Sequence, residues 1–162
     1  MIRAATSADA AAIAAIYNHY IATTTISFEE QAVDEAEMAR RIEDVSAKLP
    51  WLVCEEAGQV IGYAYATPWR VRSAYRFSVE SSVYVSHAHP RKGVGLRLYQ
   101  ALIADLRQRE IHMVIGGIAQ PNPASVALHE RMGFEKVAHF KQVGRKFERW
   151  VDVGYWELAL SA

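Results

Sequence analysis

The sequence predicts a mixed α/β (α+β) domain in which strands and helices do not alternate as regular βαβ units. Two kinds of pattern carry this prediction. Four segments have apolar residues every three to four positions, which is typical of amphipathic helices. Seven other segments are apolar runs or alternate between apolar and polar residues, which is typical of strands. Their order is strand, two helices, three strands, helix, strand, helix and two strands.

The first third of the chain predicts one short strand and two helices. "MIRAA" is the strand. Thr6 and Asp9 form a potential capping box before the first helix, and Asp34 and Glu37 repeat that start signal before the second. The apolar stripes are Ile13, Ile16, Tyr17 and Tyr20 in the first helix, and Met38, Ile42 and Val45 in the second.

The middle of the chain predicts three strands. "WLVCEE" and "QVIGYAYAT" are joined by a tight turn, and Pro68 ends the second of them. "RFSVESSVYVS" alternates over its whole length. One face of this third strand would carry Phe77, Val79, Ser81, Val83 and Val85, and the other Arg76, Ser78, Glu80, Ser82 and Tyr84.

The last part predicts two helices and three strands. Leu98, Leu102 and Leu106 recur every four residues, which favours a helix. "HMVIGGIA" is an apolar run typical of a buried strand. Asn122 followed by proline is a helix N-cap, and Gly133 is a natural helix end. "FEKVAHFKQVG" and "RWVDVGYWELAL" are the closing strands.

Length and composition limit the possible functions. The 162 residues suit one domain spanning residues 1–162. The 18 lysines and arginines equal the 18 aspartates and glutamates, which disfavours nucleic acid and anionic membranes as partners. Cys54 is the only cysteine, so we expect no internal disulfide, no metal and a cytoplasmic location. The apolar stretches are too short to span a membrane.

The stretch "HPRKGVG", residues 89–95, lies between a predicted strand and a predicted helix. This arrangement presents free backbone N–H groups and the positive helix end to an anion. Gly93 and Gly95 allow a phosphate to approach the main chain closely, and Arg91 and Lys92 add cations. The spacing fits neither a P-loop nor a dinucleotide fingerprint. A short pyrophosphate cradle of another kind and an ordinary turn both remain open.

Longer segments resemble a known family. "VYVSHAHPRKGVGLRLYQALI" followed by "NPASVALHERMGF" resembles the acetyl-CoA-binding core of the GNAT N-acetyltransferase superfamily. "ISFEE", "LPWLV", "GYAYATPWRVRSAYRFSVESSVYVS" and "VGRKFERWVDVGYWEL" are similar to its phosphinothricin N-acetyltransferase group. The resemblance runs from about Ile2 to Leu158. It implies a central, mostly antiparallel twisted sheet with flanking helices, and strands that splay apart at the acetyl-CoA site.

The implied activity is direct acetyl transfer from acetyl-CoA to the α-amine of a small amino acid. Phosphinothricin, methionine sulfoximine and methionine sulfone are the model acceptors, acetyl-CoA is the co-substrate, and a homodimer is the implied assembly. Two alternatives remain open. One is a GNAT enzyme with another amine acceptor, and the other is a CoA-binding sensor without catalysis.

Three residues are implied to be catalytic. Glu80 lies in an apolar and serine-bearing strand, where an unpaired carboxylate is costly, and the resemblance places the catalytic base there. Tyr84 follows on the same face of the strand, near the acetyl group by resemblance, or is simply a packed aromatic. His129 replaces the tyrosine that acts as general acid in many GNAT enzymes. It is either a pocket residue or a structural histidine.

The resemblance assigns the CoA contacts to the strand before the glycine loop, the loop itself and the asparagine helix. Pro90 departs from the family pattern, which has glutamine or arginine at this position, because proline offers neither a side-chain donor nor an N–H. The implied cofactor-binding residues are Val83, Tyr84, Val85, Arg91, Lys92, Gly93, Val94, Gly95, Leu96, Asn122 and Ser125.

The resemblance implies an acceptor site in which arginines bind the anionic groups of the substrate. Arginine suits bidentate capture of a carboxylate or phosphinate, although runs of charge are usually only solvated. By resemblance Arg72 and Tyr75 hold the anionic groups, and Arg76 is the least expected to touch substrate. The implied substrate-binding residues are Phe28, Tyr65, Arg70, Arg72, Tyr75, Gly117, Ala119 and Lys146.

Aromatic residues stand between charged residues in "GRKFERWVDVGYW". Such a pattern occurs in nucleic-acid-binding segments, but its alternation favours packing in the core. By resemblance this region contributes the pocket edge and a homodimer contact, with Lys146 as the residue of interest.

Overall fold

The computed structural model describes residues 1–89 and 93–161. The predicted order of elements is confirmed, with additional short 3₁₀ turns at Ser7–Asp9 and Ser73–Tyr75. The strands are β1 (Ile2–Ala4), β2 (Trp51–Glu56), β3 (Gln59–Pro68), β4 (Ser78–Val85), β5 (Met113–Ala119), β6 (Glu135–Lys146) and β7 (Arg149–Ala159). The helices are α1 (Ala10–Thr23), α2 (Glu35–Ser46), α3 (Val94–Gln108) and α4 (Pro123–Arg131).

All seven strands belong to one sheet, in the order β1-β2-β3-β4-β5-β7-β6. Every neighbouring pair is antiparallel except β4 and β5, which are parallel. Parallel neighbours need a long crossover connection, and α3 supplies it between β4 and β5. The mostly antiparallel sheet is the architecture that the resemblance implied.

The helix starts follow the predicted capping signals. The Asp34 side chain accepts a hydrogen bond of 2.8 Å from the N–H of Glu37 at the start of α2. Asn122 likewise accepts a 3.2 Å bond from the N–H of Ser125 at the start of α4. Each bond satisfies a backbone donor that has no partner within its helix, so both helices begin where the sequence predicts.

Two hydrophobic clusters hold the helices against the sheet. One contains α3, where Leu98, Tyr99, Leu102 and Leu106 are fully buried. The other contains α1 and α2 together with β2 and β3. Truncating a fully buried leucine such as Leu102 to alanine would cost about 2–5 kcal/mol of stability. The α3 cluster therefore fixes β4, whose residues Val79 and Ser81 are buried on its side.

The sequence predictions at the strand ends hold only in part. Phe77, predicted to share a face of the third strand with Val79, lies one residue before β4 and is 46% exposed. The expected core packing of "GRKFERWVDVGYW" holds for Val151 and Trp156, but Phe147 is 50% and Trp150 59% exposed. Alternation predicts which side chains share a face, but it does not reveal that this end of the β6–β7 hairpin lies at the edge of the sheet.

Membrane-spanning and metal-binding features were expected to be absent. Within residues 1–89 and 93–161, no helix is long and apolar enough to cross a membrane. Over the same ranges, no three histidine, cysteine or carboxylate side chains lie close enough together to hold a metal ion. Cys54 is a buried free thiol in β2.

Candidate active site

The centre of the sheet opens where β4 and β5 part. These parallel strands pair only over residues 78–80 and 113–115, although β4 continues to Val85 and β5 to Ala119. Beyond Glu80, the edge of β4 that faces β5 has no strand partner among the described residues. Unpaired backbone groups at such an edge can take an extended ligand as an added strand. This is the splayed geometry that the resemblance implied.

A narrow cavity of about 70 Å³, which we call the slot, occupies this opening. Its walls are the diverging parts of β4 and β5 and one face of α4. The slot brings together four of the predicted cofactor-binding residues, Val83, Tyr84, Asn122 and Ser125. Val85 ends β4 and accepts a hydrogen bond from the hydroxyl of Tyr20 through its carbonyl oxygen.

The start of α3 lies beside the slot. Gly93 precedes the helix with a φ of +88°, a left-handed conformation that glycine adopts without strain. A Cβ added at Gly95 would lie 3.4 Å from Leu128 and 3.8 Å from Val83, which both line the slot. The free N–H groups of the first helical turn are therefore close to the slot, where they favour an anion.

The other predicted loop residues have different positions. Val94 is fully buried in the α3 cluster, and Leu96 is half-buried. Val94 thus anchors the helix start rather than lining the slot. The predictions for Pro90, Arg91 and Lys92 fall outside the described residues.

His129 is buried against the slot, and both of its ring nitrogens are engaged. Nδ1 donates to the carbonyl oxygen of Ser125 at 2.7 Å, and Nε2 accepts from the hydroxyl of Tyr99 at 2.8 Å. Tyr99 in turn contacts the Ser81 hydroxyl at 2.5 Å. Burial lowers the pKa of His129, which keeps the imidazole neutral at neutral pH. The hydrogen-bond chain ties α4 to α3 and to β4.

A wider cavity of about 460 Å³, which we call the acceptor cavity, adjoins the slot and shares five lining residues with it, namely Ile26, Ser82, Tyr84, Gly117 and Ala119. Its walls come from α1, the segment after α1, and strands β4, β5 and β7. Five predicted site residues line it, namely Phe28, Glu80, Tyr84, Gly117 and Ala119. The acceptor cavity is therefore where the predicted base and the predicted substrate contacts meet.

Glu80 is the last β4 residue before the strands part, and its side chain lines the acceptor cavity. Its carboxylate makes no hydrogen bond within residues 1–89 and 93–161. Burial raises the pKa of Glu80, and the nearby charge of Arg70 offsets part of that rise. A Cβ added at Gly117 would lie 3.4 Å from Glu80 Oε2, so the glycine leaves room for this carboxylate. A partly buried carboxylate without partners is costly for stability and suits a proton acceptor.

Tyr84 lines both the slot and the acceptor cavity. Its ring packs against Tyr17 with the centroids 5.3 Å apart in an edge-to-face arrangement. Burial raises the pKa of Tyr84 well above its ordinary value, and the neighbouring Tyr65 adds to that rise. Its hydroxyl makes no hydrogen bond to any group that the structure describes. Tyr84 thus presents a protonated, unpaired O–H between the two cavities.

A match to known proteins identifies the family. The acetyltransferase (GNAT) domain matches residues 2–154, which is nearly the whole chain. The chain belongs to the GNAT acetyltransferase family. It is therefore an acyltransferase, and the family predicted from the sequence is confirmed.

Named relatives match over almost the full chain. Phosphinothricin N-acetyltransferase of Streptomyces viridochromogenes is 42% identical, covering 96% of this chain and 85% of that protein. The L-methionine sulfoximine/L-methionine sulfone acetyltransferase of Salmonella typhimurium is 41% identical, covering 99% of this chain and 94% of that protein. The crystal structure of a GNAT phosphinothricin acetyltransferase from Sinorhizobium meliloti, in complex with acetyl-CoA, has a TM-score of 0.95 at 36% identity, covering 99% of this chain and 88% of that one.

The predicted arginines lie outside the lining of the acceptor cavity. Arg70, Arg72 and Arg76 line a separate cleft of about 510 Å³ on the exposed segment between β3 and β4. Tyr75 is 43% exposed in the same segment. Arg70 is nevertheless close enough for its charge to act on Glu80 and on Tyr155. Of this group, Arg70 is the residue that the fold brings towards the acceptor cavity.

Two further predicted substrate residues act through their neighbours. Tyr65 stacks on Trp51 with ring centroids 4.2 Å apart, and it lies directly opposite Ser82 of the cavity wall in the β3–β4 ladder. Lys146 is 2% exposed, and its Nζ donates to the carbonyl oxygen of Ser27 at 2.7 Å. Both residues therefore hold cavity-lining residues in place.

Sequence reasoning missed several residues of the acceptor cavity, above all Tyr17, Glu29 and Tyr155. Tyr17 was predicted only as a member of an apolar helix stripe. Glu29 lies in "ISFEE", which carried part of the resemblance but had no assigned role. Tyr155 sits in β7 directly opposite Gly117 of β5, a pairing that only the sheet order reveals.

Proposed function

We propose that this GNAT enzyme transfers the acetyl group of acetyl-CoA directly to the α-amine of a small amino acid of the phosphinothricin, methionine sulfoximine or methionine sulfone type. The observation that carries the proposal is the unpaired Glu80 carboxylate in the acceptor cavity, at the point where β4 and β5 part. The names of the two relatives, which are 42% and 41% identical, support this acceptor class.

Acetyl-CoA would lie along the slot. Its pantetheine arm pairs with the free edge of β4 at Val83 to Val85, and Asn122 and Ser125 flank it. Its pyrophosphate sits at the start of α3, where Gly93 and Gly95 leave the backbone accessible and Arg91 and Lys92 supply cations. A backbone N–H of β4 polarises the thioester oxygen.

The chemistry needs a neutral amine and a proton for the departing thiol. Glu80 takes a proton from the acceptor's ammonium group, because burial brings the pKa of its carboxyl closer to that of the amine. The freed nitrogen attacks the thioester carbon, the C–N bond forms and the C–S bond breaks. Tyr84 donates its proton to the leaving sulfur, since its O–H lies between the two cavities without a partner. The surplus proton of the acetylated nitrogen then restores the Tyr84 hydroxyl, and Glu80 releases its proton to solvent, so the net products are the amide, the free thiol and one proton.

His129 supports this reaction by holding neighbouring residues in position. Because both ring nitrogens are engaged, the imidazole holds Tyr99 and, through it, Ser81 of β4. Ser81 lies next to Glu80 in the chain, so the His129 chain fixes the strand that carries the base. Arg70 is the cation that we assign to the acceptor's carboxylate, with Arg72 and Tyr75 as outer contacts from the exposed segment.

We also propose that the enzyme is a homodimer in the cytoplasm. β6 is an edge strand of 12 residues, and apolar side chains along the β6–β7 hairpin are at least half exposed. A long apolar edge favours association, and a second copy of the chain would cover it. The buried lone thiol of Cys54 fits a reducing compartment. The exposed residues are Val137, Phe140, Val143, Phe147 and Trp150.

The dimer has a direct test. Replacing both Phe140 and Trp150 with glutamate puts charge on this edge, so light scattering after gel filtration would show a monomer where the unaltered protein gives a dimer. Val71→Glu is the control, because Val71 is fully exposed on a different segment. A mass equal to that of one chain for the unaltered protein would contradict the dimer.

Release of free thiol from acetyl-CoA tests the proposed reaction. The purified protein is offered phosphinothricin, methionine sulfoximine, methionine sulfone, ordinary methionine and spermidine. We expect turnover on phosphinothricin, methionine sulfoximine or methionine sulfone, and little on methionine and spermidine. Turnover on spermidine alone would keep the acetyltransferase and discard the acceptor class. Acetyl-CoA binding with no turnover on any amine would favour the sensor alternative.

A further inference from the structure

We propose that Glu29 sets the acceptor preference of this enzyme, by accepting a hydrogen bond from the head group of the acceptor's side chain and by disfavouring a head group that is anionic. This inference rests on the proposed function, because it requires that the amino acid binds in the acceptor cavity. It predicts the order methionine sulfoximine, then methionine sulfone, then phosphinothricin.

The segment that carries Glu29 is held firmly against the cavity. The backbone N–H of Glu29 donates to the Ser27 hydroxyl at 3.1 Å, and that hydroxyl contacts the hydroxyl of Tyr17 at 2.8 Å. Lys146 of β6 binds the carbonyl oxygen of Ser27 at 2.7 Å. Ser27, Glu29 and Tyr17 all line the acceptor cavity. The position of the Glu29 carboxylate is therefore fixed by contacts from two other elements.

The Glu29 carboxylate is ionised and still has capacity for a ligand. Arg41 binds it with two hydrogen bonds of 2.8 and 2.9 Å, and the Tyr17 hydroxyl donates to one of its oxygens. The hydrogen bonds from Arg41 lower the pKa of Glu29. A carboxylate accepts about four hydrogen bonds, so about one position remains. The side chain is 38% exposed, which leaves that position open to the cavity.

The charge around the cavity favours a neutral head group. Glu29 and Glu80 line it, and no lysine or arginine does so among the residues described. Arg41 lies behind Glu29 and is shared with Glu37, to which its Nε donates at 2.9 Å. A phosphinate beside Glu29 would thus face that carboxylate, and also Glu80, whose charge Arg70 offsets only in part.

The three acceptors separate the two effects of Glu29. Sulfoximine is neutral and has an N–H that can donate to the remaining position, whereas sulfone is neutral and has only acceptor oxygens. Phosphinothricin carries a negative phosphinate at neutral pH. Charge-assisted hydrogen bonds are about twice as strong as neutral ones, so loss of the donor in sulfone is costly. Comparing sulfoximine with sulfone isolates the hydrogen bond, and comparing sulfone with phosphinothricin isolates the charge.

The test is the ratio of kcat/KM values for the three acceptors in the unaltered enzyme, Glu29→Gln and Glu30→Gln. In Glu29→Gln the preference for sulfoximine over sulfone should fall about tenfold, and phosphinothricin should gain about tenfold relative to sulfone, because Arg41 loses a partner. Glu30→Gln is the matched control. It removes the same charge one residue later, from an exposed side chain outside the cavity lining, and should leave both ratios unchanged.

Glu29→Asp is a control that distinguishes loss of the charge from a general loss of structure. Aspartate keeps the negative charge, so it should keep the low relative activity on phosphinothricin while weakening the hydrogen bond. Dissociation constants of the acceptors in the presence of CoA should follow the same ratios. These dissociation constants test the role of Glu29 even if none of the proteins turns over. Absence of turnover in the unaltered enzyme would instead count against the proposed reaction. Ratios that do not move in Glu29→Gln, by turnover or by binding, would overturn the role of Glu29.

Discussion

The slot and the acceptor cavity lie side by side and share Tyr84, but they are built differently. The slot holds about 70 Å³ and is walled largely by small or aliphatic residues and by the free edge of β4. The acceptor cavity holds about 460 Å³, and its polar lining consists mainly of carboxylates and phenols. A wall made largely of backbone suits the acyl donor, acetyl-CoA, which is the same molecule in every reaction. A wall of charged and aromatic side chains suits discrimination between acceptors.

This difference separates the expected effects of mutation. Changes to side chains of the acceptor cavity should alter turnover or acceptor choice and leave the affinity for acetyl-CoA unchanged. Changes to the backbone beside the slot should weaken acetyl-CoA binding and leave turnover at saturating acetyl-CoA unchanged.

The largest effect is expected for Glu80→Gln. Loss of a positioned base should lower kcat about 10²–10⁴-fold at pH 7, with an unchanged dissociation constant for acetyl-CoA by calorimetry. Glu157→Gln is a matched control, because Glu80 and Glu157 flank the same residue, Ile115, from the two neighbouring strands. Turnover that stays unchanged in Glu80→Gln would remove this carboxylate from the mechanism.

A smaller loss is expected for Tyr84→Phe. A thiol with a pKa of about 8.5 leaves with little assistance, so losing the proton donor should lower kcat about tenfold to hundredfold. Tyr63→Phe is the control, since Tyr63 is buried directly opposite Tyr84 in the β3–β4 ladder. If both variants lose the same activity, the Tyr84 hydroxyl has a packing role only.

The smallest effect is expected for Gly93→Ala. Alanine in the left-handed conformation costs about 1–2 kcal/mol, so a shift of the backbone at the start of α3 should weaken acetyl-CoA binding about five- to thirtyfold. Gly58→Ala carries the same kind of strain at φ +75° in the β2–β3 turn, again with open space around the added Cβ. Equal affinities in the two variants would show that the α3 start does not hold the cofactor.

The sequence predicted the slot better than the acceptor cavity for a physical reason. The glycine loop and the Asn122 cap are local signals, because a turn and a helix start each depend on a few adjacent residues. Glu29 depends instead on Tyr17 and Arg41, each 12 residues away and on different helices. No local pattern indicates that the segment after α1 folds over β4.

The same limit applies to the arginines and to the edge of the sheet. The cluster around Arg72 is visible in the sequence, but which cavity it lines is decided by the path of the chain between β3 and β4. Alternation correctly placed Val151 and Trp156 in the core. It could not show that Phe147 and Trp150 lie at an uncovered edge, because covering depends on the neighbours of the strand.

The pH dependence of kcat/KM for the acceptor, in the unaltered enzyme and in Glu80→Gln, tests the central claim most directly. With Glu80 as the base, activity of the unaltered enzyme falls only below the pKa of Glu80, which burial raises, and is level up to the pKa of the amine. The Glu80→Gln variant can use only acceptor molecules whose amine is already neutral, and that fraction rises about tenfold per pH unit below the amine pKa. Its activity should therefore rise about tenfold per pH unit and approach that of the unaltered enzyme near the amine pKa. Parallel profiles with a constant offset would contradict proton transfer to Glu80.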